Sequence, residues 1–188
     1  MKKLLLVAVM VLTSAMTFAQ QKEGTLTIQP KVGLNIASLT DYDDSDPRFG
    51  VVAGAEFMYQ ATDMVGLSFG ALYSMQGAKY DKATTKLDYI NIPVLANVYV
   101  APGFAVKLGL QPGFNVNSKF KSNKINGTSI ESDTDAKTVD LSIPIGMSYE
   151  FDNFVIDGRY NWGVTKVAKK SDFKNSVFQN TLGYKLPL

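Results

Sequence analysis

Apolar and polar residues alternate with a period of two along much of the chain, most clearly between residues 137 and 162. From Val139 to Tyr149 every second side chain is apolar, and the side chains between them are polar or small. Asp152 and Asn153 interrupt the pattern, which then resumes from Phe154 to Trp162. Successive side chains of an extended strand point to opposite faces, so this segment predicts two strands joined by a tight turn.

Six further segments show the same alternation and bring the prediction to eight antiparallel strands. Their apolar faces run over Leu26 to Ile36, Phe49 to Tyr59, Val65 to Met75, Ile90 to Val98, Phe104 to Leu110 and Phe178 to Leu186. Tight turns are predicted near residues 61–63, 101–103 and 152–153, and longer polar loops over residues 40–48, 76–86, 115–136 and 165–175. An even strand count with short turns at one end and long loops at the other is typical of an up-and-down transmembrane β-barrel.

The lengths and faces of these strands favour a membrane location. Each of the two strands between residues 137 and 162 reaches the roughly 9–11 residues that a tilted strand needs to cross a bilayer. Beyond the N-terminal segment no apolar run is as long as a spanning helix, and only helices and closed barrels satisfy every backbone hydrogen bond in hydrocarbon. The alternative is a soluble, lipocalin-like barrel that binds an apolar ligand. Its polar face would meet water and should be rich in charges, whereas here that face is mostly Gly, Ser, Thr and Asn.

The first residues predict an export signal. Lys2 and Lys3 precede an apolar core from Leu4 to Leu12, and Thr17-Phe18-Ala19 forms a small-residue cleavage site. We therefore expect a signal peptide over residues 1–19, cleaved after Ala19, and a single barrel domain over residues 20–188. A retained anchor helix is the alternative, although the apolar core is short for a membrane span.

Charge and composition exclude several functions. Without residues 1–19 the chain carries 17 basic and 17 acidic residues, so its charge balance gives no support to nucleic-acid binding. The chain contains no Cys and no His. Disulfides, Ser–His or Cys–His nucleophile pairs and His- or Cys-ligated zinc are therefore impossible. We expect no enzymatic activity and no cofactor.

Alternation also predicts which charges face the lumen. Four basic and four acidic residues alternate with the apolar positions of their strands and are therefore expected to point inward. They are Lys31, Lys107, Arg159 and Lys185, with Glu56, Asp140, Glu150 and Asp157. An eight-stranded barrel is just wide enough for its own side chains to fill it, and unpaired buried charges are costly. We expect these residues to pair across a plugged lumen. The alternatives are that several of them lie in water at the rims, or that the barrel is a small-solute channel.

The predicted loops contain two clusters of like charge. Asp41, Asp43, Asp44 and Asp46 could gather a hard cation such as Ca²⁺, although their spacing lacks the glycine and glutamate of an EF-hand and a solvated acidic loop is the simpler interpretation. Lys166, Lys169, Lys170 and Lys174 could hold lipopolysaccharide phosphates or an acidic partner, or could form a hydrated loop. Asn126-Gly127-Thr128 matches a glycosylation sequon, but an Asn-Gly turn explains it better.

Aromatic residues and prolines have expected positions in such a barrel. Tyr and Trp near strand ends should lie at the membrane–water interface. The aromatic residues near predicted strand ends are Phe49, Tyr59, Tyr73, Tyr89, Tyr99, Phe104, Tyr149, Phe154, Tyr160, Trp162 and Tyr184. Because proline cannot donate to a ladder, we expect Pro30, Pro93, Pro112 and Pro144 near rims or at bulges.

Several stretches resemble the β-barrel domain family of small outer-membrane proteins from the Bacteroidetes, often labelled porin family or PorT-like. They are Pro30 to Ser38, Arg48 to Gly54, Leu72 to Lys79 and Tyr89 to Leu95, followed near the C-terminus by Gly183-Tyr184-Lys185-Leu186. The resemblance implies an eight-stranded barrel in the outer membrane of a Gram-negative bacterium, in a family whose activity is mostly unassigned. Such barrels usually end in an aromatic residue, whereas this chain ends in Leu186-Pro187-Leu188.

These observations together favour a non-enzymatic outer-membrane barrel with a structural or adhesive role carried by its loops. We expect its partners to be outer-membrane lipids and lipopolysaccharide, and we expect a monomer. The sequence identifies neither a ligand nor a protein partner.

Overall fold

The computed structural model describes residues 22–40, 46–80, 83–122, 131–133, 137–167 and 173–188, and its regular elements there are all β-strands. The strands are β1 (Leu26–Leu39), β2 (Asp46–Gln60), β3 (Val65–Tyr80), β4 (Ala83–Asn91), β5 (Val94–Ala101), β6 (Phe104–Ser122), β7 (Glu131–Asp133), β8 (Val139–Phe151), β9 (Phe154–Gly163), β10 (Asn175–Tyr184) and β11 (Leu186–Pro187). The described residues contain no helix long and apolar enough to cross a membrane.

These strands form a closed antiparallel barrel of eight spanning strands, which confirms the predicted fold class. Only Ile92 and Pro93 separate β4 from β5, and the two make one spanning strand. β11 continues β10 along the edge of β1, and β7 pairs only with the loop end of β6. Pairing of β1 with β10, from Lys31 opposite Gly183 to Leu39 opposite Asn175, closes the barrel.

The strands are staggered around the barrel. A path that follows paired residues once around the wall leaves β1 at Leu26 and returns to β1 at Ile36, ten residues further along. The path runs through Tyr59, Leu67, Ala96, Leu108, Ile145, Tyr160 and Phe178. Such a stagger requires the strands to tilt against the barrel axis. Residues far apart in sequence are thereby brought to one level of the lumen.

The two faces of the wall are divided as the alternation predicts. Ile145 is 48% exposed on the outside, whereas Asp157 and Arg159 are 0% and 1% exposed inside. Apolar side chains on all eight spanning strands share the outward face, and most polar side chains on the strands are buried in the lumen. A soluble barrel would show the reverse arrangement.

Three predicted loops are shorter than expected, because the strands continue beyond the apolar band. β3 runs to Tyr80 and β4 starts at Ala83, so most of the loop predicted over residues 76–86 is a paired hairpin. β6 extends to Ser122 and β2 starts at Asp46. Backbone pairing persists there, but these extensions carry few apolar side chains, such as Val116 and Phe120 on β6, so hydrophobic alternation gives a weak signal for them.

The four prolines expected near rims or at bulges, Pro30, Pro93, Pro112 and Pro144, each lie at an interruption of a ladder within the wall. Pairing of β1 with β10 and β11 skips Pro30, and pairing of β6 with β8 skips Pro144. β6 pairs with β5 along one part and with β4 along the next, and this change of partner occurs at Pro93 and Pro112. There the Ile92 N–H donates to the Pro112 carbonyl oxygen at 2.8 Å. These gaps accommodate residues that have no N–H to donate.

Glycines stand beside the long charged side chains of the inner face. Lys31 is paired in register with Gly54 and with Gly183, and Glu56 is paired with Gly70. A Cβ at Gly183 would lie 3.0 Å from the Lys31 Cγ, and one at Gly70 would lie 2.8 Å from the Glu56 Cγ. The glycines therefore provide the space that the charged side chains occupy.

This spacing predicts that two neighbouring glycines respond differently to substitution. Gly146 faces inward beside Lys107 and Arg159, and a Cβ there would overlap the Gly158 carbonyl oxygen and lie 2.7 Å from the Arg159 Cβ. Gly158 faces outward, and its Cβ would meet only the flexible Asn180 Oδ1 at 3.3 Å. We expect Gly146→Ala to lower the free energy of unfolding by about 1–3 kcal/mol.

The matched control, Gly158→Ala, should change the free energy of unfolding by less than about 1 kcal/mol. Urea unfolding in detergent micelles measures both variants. If both variants lose the same free energy of unfolding, the loss in Gly146→Ala does not come from the space beside Lys107 and Arg159.

Candidate functional site

A cluster of five buried charged residues crosses the middle of the lumen. Lys31 extends from β1, Glu56 from β2, Lys107 from β6, and Asp157 and Arg159 from β9. All five side chains are at most 2% exposed. Inward parity was predicted for each of them, and the stagger of the wall brings them to one level.

The Arg159 guanidinium bridges both carboxylates of this cluster. Its Nε donates to Asp157 Oδ1 at 2.8 Å, and its Nη2 donates to Asp157 Oδ2 at 2.9 Å. On the other side Nη1 donates to Glu56 Oε1 at 2.9 Å. A planar guanidinium that binds a carboxylate through two nitrogens fixes both distance and orientation.

Two lysines complete the cluster and leave it with an excess of positive charge. The Lys31 Nζ lies 2.6 Å from Glu56 Oε2 and 3.5 Å from Asp157 Oδ2. The Lys107 Nζ donates to Asp157 Oδ2. Asp157 thus contacts three cations, and the cluster holds three cationic groups against two carboxylates. Since a buried charge without a partner is costly, Asp157 is the residue on which the other charges depend most.

Two further predicted lumen residues form a separate pair toward the turn end. The Lys185 Nζ lies 2.7 Å from Glu150 Oε2, and these side chains are 11% and 8% exposed. The Tyr99 hydroxyl donates to Glu150 Oε1 at 2.7 Å. This pair is closer to solvent than the central cluster and apart from it.

The eighth predicted lumen residue, Asp140, lies toward the loop end. It accepts hydrogen bonds from the Thr165 hydroxyl and, at 2.9 Å, from Asn175 Nδ2. Its partners in these two bonds are neutral, although we expected charged partners across the lumen. The stagger of the strands places Asp140, the second residue of β8, at the level of Thr165 and Asn175 near the loops rather than at the level of the central cluster.

Sequence reasoning missed a charged group near the loop end. The Arg48 Nη1 lies 3.7 Å from Asp88 Oδ1 and donates to the Gln76 carbonyl. The Tyr73 hydroxyl and Asn117 Nδ2 donate to Asp88 Oδ2 at 3.1 and 2.8 Å. The predicted loop over residues 40–48 includes Arg48, although an inward position follows from the outward Phe49 beside it.

A cluster of buried apolar side chains lies toward the loop end of the barrel. It consists of Leu39, Ala78, Leu87, Tyr89 and Val167, with Phe173 packed against it. Tyr89 and Tyr99 are 1% and 6% exposed, so the prediction that they lie at the membrane–water interface is wrong. Both lie on the face opposite the apolar series from Ile90 to Val98, so alternation along the strand predicts the inward position correctly, and proximity to a strand end does not.

Amide side chains with unpaired atoms lie next to the central cluster. Both amide atoms of Gln29, Asn161 and Gln179 are buried without a hydrogen-bond partner in the structure. Gln29 is paired in register with Glu56, and Gln179 is paired with Arg159. The lumen therefore combines a charged centre with neutral polar groups on either side of it.

The predicted loop sites are only partly within the described residues. Asp46 is exposed at the start of β2, opposite Lys79, and so lies in a strand rather than in the predicted loop. Lys166 is exposed and Lys174 is half-buried. Asp41, Asp43, Asp44, Lys169 and Lys170 lie outside the described residues. No group of three or more potential metal-ligating acidic, His or Cys side chains occurs in the part of the chain that the structure describes.

Comparison with known proteins gives a family and a fold. Residues 18–169 match the family described as outer membrane protein beta-barrel domain. Comparison with curated proteins found no match.

Two solved structures resemble this barrel over most of its length. Neisserial surface protein A, from Neisseria, is 19% identical with a TM-score of 0.55, covering 87% of this chain and 100% of its own. The attachment invasion locus protein Ail of Yersinia pestis is 17% identical with a TM-score of 0.54, covering 88% of this chain and 100% of its own. At these identities the likeness concerns the fold alone.

The central cluster predicts that Asp157→Asn is strongly destabilising. The substitution preserves shape but leaves Lys31, Lys107 and Arg159 with a single carboxylate, Glu56. Breaking a buried pair from one side costs about 3–5 kcal/mol, and we expect a loss of that size in the free energy of unfolding. Urea unfolding in lipid vesicles measures the loss.

Two control variants separate this effect from loss of any ion pair. Arg159→Met leaves two cations with two carboxylates and should cost less than Asp157→Asn. Lys185→Met leaves Glu150 with the Tyr99 hydroxyl as a donor at the end of the lumen closer to solvent, and it should therefore cost less than Asp157→Asn. The cluster argument fails if Asp157→Asn proves no more costly than Lys185→Met.

Proposed function

Since the chain belongs to the outer membrane protein β-barrel domain family, we propose that it is a non-enzymatic barrel of the outer membrane of a Gram-negative bacterium. In this proposal its lumen is closed by side chains, and it acts through its loop surface or as a structural element of the envelope. Export by residues 1–19 and kinship with small barrels of the Bacteroidetes are parts of the proposal that stem from sequence alone.

The observation that carries the closed lumen is the central charge cluster. Its side chains come from four strands around the wall and meet within hydrogen-bond distance. The apolar cluster of Leu39, Ala78, Leu87, Tyr89 and Val167 adds a second obstruction at the loop end. A wide, permanently open path for solutes is hard to reconcile with both, so we favour a closed barrel over a small-solute channel.

Chemistry and surface both favour a non-enzymatic membrane role. The chain has no His and no Cys, which excludes the nucleophile pairs that depend on them. The soluble, lipocalin-like alternative conflicts with the outward face, where Val32, Leu108 and Ile156 are each more than half exposed. Such a surface suits acyl chains rather than water.

Lysines at the loop end support binding to anionic groups of the outer leaflet, such as lipopolysaccharide phosphates. The described lysines with exposed or half-buried side chains at that end are Lys79, Lys86, Lys119, Lys121, Lys137, Lys166 and Lys174. Asp88 and Asp140 at the same end are buried and engaged with neighbouring groups, whereas Asp46 is exposed opposite Lys79. Ail, a barrel of similar fold, has been observed in complex with the heparin analogue sucrose octasulfate, whose groups are anionic.

A closed lumen predicts the electrical behaviour of the purified protein. Reconstituted in a planar bilayer, the folded barrel should show no large, steady conductance, because the charge cluster and the apolar cluster obstruct the path. Folding is checked in the same sample by the shift in gel migration between unheated and heated protein, and an open porin serves as the positive control. Large and steady channels in the folded protein would establish the channel function instead.

Anion binding at the loop end predicts an effect of charge reversal. Lys166→Glu combined with Lys174→Glu should weaken binding of lipopolysaccharide to the detergent-solubilised barrel by about tenfold or more, since each surface lysine contributes about 1 kcal/mol. Isothermal titration calorimetry measures the affinity, which should also fall with added salt.

The control for this test is Lys22→Glu, which reverses an exposed charge next to the opposite, turn end of β1. It should leave the affinity unchanged. If it weakens lipopolysaccharide binding as much as the double variant, overall charge rather than the loop end determines the interaction.

A further inference from the structure

One polar side chain interrupts the apolar outer face of β10. Along this strand the outward positions are Tyr184, Leu182, Asn180, Phe178 and Ser176. Asn180 is exposed and stands at the centre of the series, between Leu182 and Phe178, which are themselves nearly half exposed. An amide on a surface that faces hydrocarbon needs an explanation.

The strands on either side provide no polar side chain for Asn180. In register it is paired with Leu34 on β1 and with Gly158 on β9. A Cβ on Gly158 would lie 3.3 Å from Asn180 Oδ1, so the amide lies close to this glycine. The missing side chain of Gly158 leaves a shallow notch beside the amide.

Asn180 also lies deep in the apolar band. Gly158, its register partner, is flanked in sequence by Asp157 and Arg159, which point inward into the central cluster at the middle of the lumen. Toward either end of β10 the next polar outward groups, on Tyr184 and Ser176, are four residues away, or about 13 Å along the strand. Water and lipid headgroups are therefore remote, and an amide unsatisfied in hydrocarbon costs several kcal/mol.

We propose that the outer face formed by β1, β10 and β9 around Asn180 is the interface of a symmetric dimer of this chain. In the dimer the Asn180 amide of each copy donates to and accepts from that of the other. A primary amide carries both donors and an acceptor, so two copies related by a two-fold axis satisfy one another. Leu34, Leu182 and Phe178 pack around the amides, and the notch at Gly158 permits close approach, as small residues do between membrane helices.

A second copy is the occupant for a specific reason. In the middle of this face Asn180 is the polar group, since the hydroxyls of Tyr160, Ser176 and Tyr184 lie nearer the ends of the strands. The group most complementary to a primary amide in hydrocarbon is another primary amide in the same setting. The opposite wall, around Val94 on β5, has only apolar outward neighbours in Ile90 and Val98. Around Val94 that wall therefore has no polar side chain that could fix the orientation of a second copy. This inference goes beyond the proposed function, holds whether or not the lumen conducts, and replaces the expected monomer.

The absence of cysteine in the chain makes a cross-linking test simple. Leu182→Cys places a thiol one outward position from Asn180 and keeps the amide. After oxidation of the barrel reconstituted at low density in phosphatidylcholine vesicles, we expect a disulfide-linked dimer. The control Val94→Cys on the opposite wall should give at most a small fraction of that product.

The decisive variant combines Leu182→Cys with Asn180→Leu, which replaces the amide by an apolar side chain of similar size. We expect the dissociation constant of the dimer, measured by energy transfer between labelled barrels in vesicles, to rise about tenfold. Heat-modifiable gel migration verifies that every variant is folded.

Three outcomes would overturn the proposal. They are a monomeric native barrel, cross-linking of Val94→Cys as strong as that of Leu182→Cys, and a dimer unaffected by Asn180→Leu. A fourth result would also overturn it. If Leu182→Cys in intact cells forms a disulfide with a protein of different mass, the occupant of this face is not a second copy of the chain.

Discussion

The structure depends on a single constraint, which is that a wall bathed in hydrocarbon must turn its polar groups inward. In an eight-stranded barrel the inward space is narrow, so charges placed there have to neutralise one another. Asp157 meets this requirement by contacting Lys31, Lys107 and Arg159 at once. The contacts join β1, β6 and β9, so this carboxylate links distant parts of the wall through its centre.

Space for these charges is built into neighbouring strands. Lys31 lies beside two glycines, and Glu56 and Arg159 each lie beside one. A wall with ordinary side chains at those positions would leave no room for long charged ones. The abundance of glycine on the polar face therefore reflects the packing of the lumen rather than flexibility of the strands.

The sequence is informative about faces and much less about partners. Because hydrocarbon tolerates almost no polarity, the outward residues of β8 and β9 reveal their strands, their parity and the inward position of Arg159. Which inward charges meet depends on the stagger of the whole wall, and for this reason Asp140 has Thr165 and Asn175 as neighbours where charged partners were expected.

The hairpin around residues 80–83 was missed because strands outside the membrane no longer separate apolar from polar residues. Tyr89 was placed at the interface because position near a strand end says nothing about the face on which a side chain lies.

Closure of the wall by β1 and β10 has a consequence for how the molecule forms. Lys31 on β1 and Gly183 on β10 are neighbours in the finished wall, although nearly the entire chain lies between them. One edge of β1 therefore remains unpaired until β10 has formed. Contacts over such long separations are slow to form. Until that moment the growing sheet has two open edges and an incomplete set of charges inside. Assembly should therefore proceed as one late, concerted step, and a chain cut short before β10 should not stop at a smaller stable barrel.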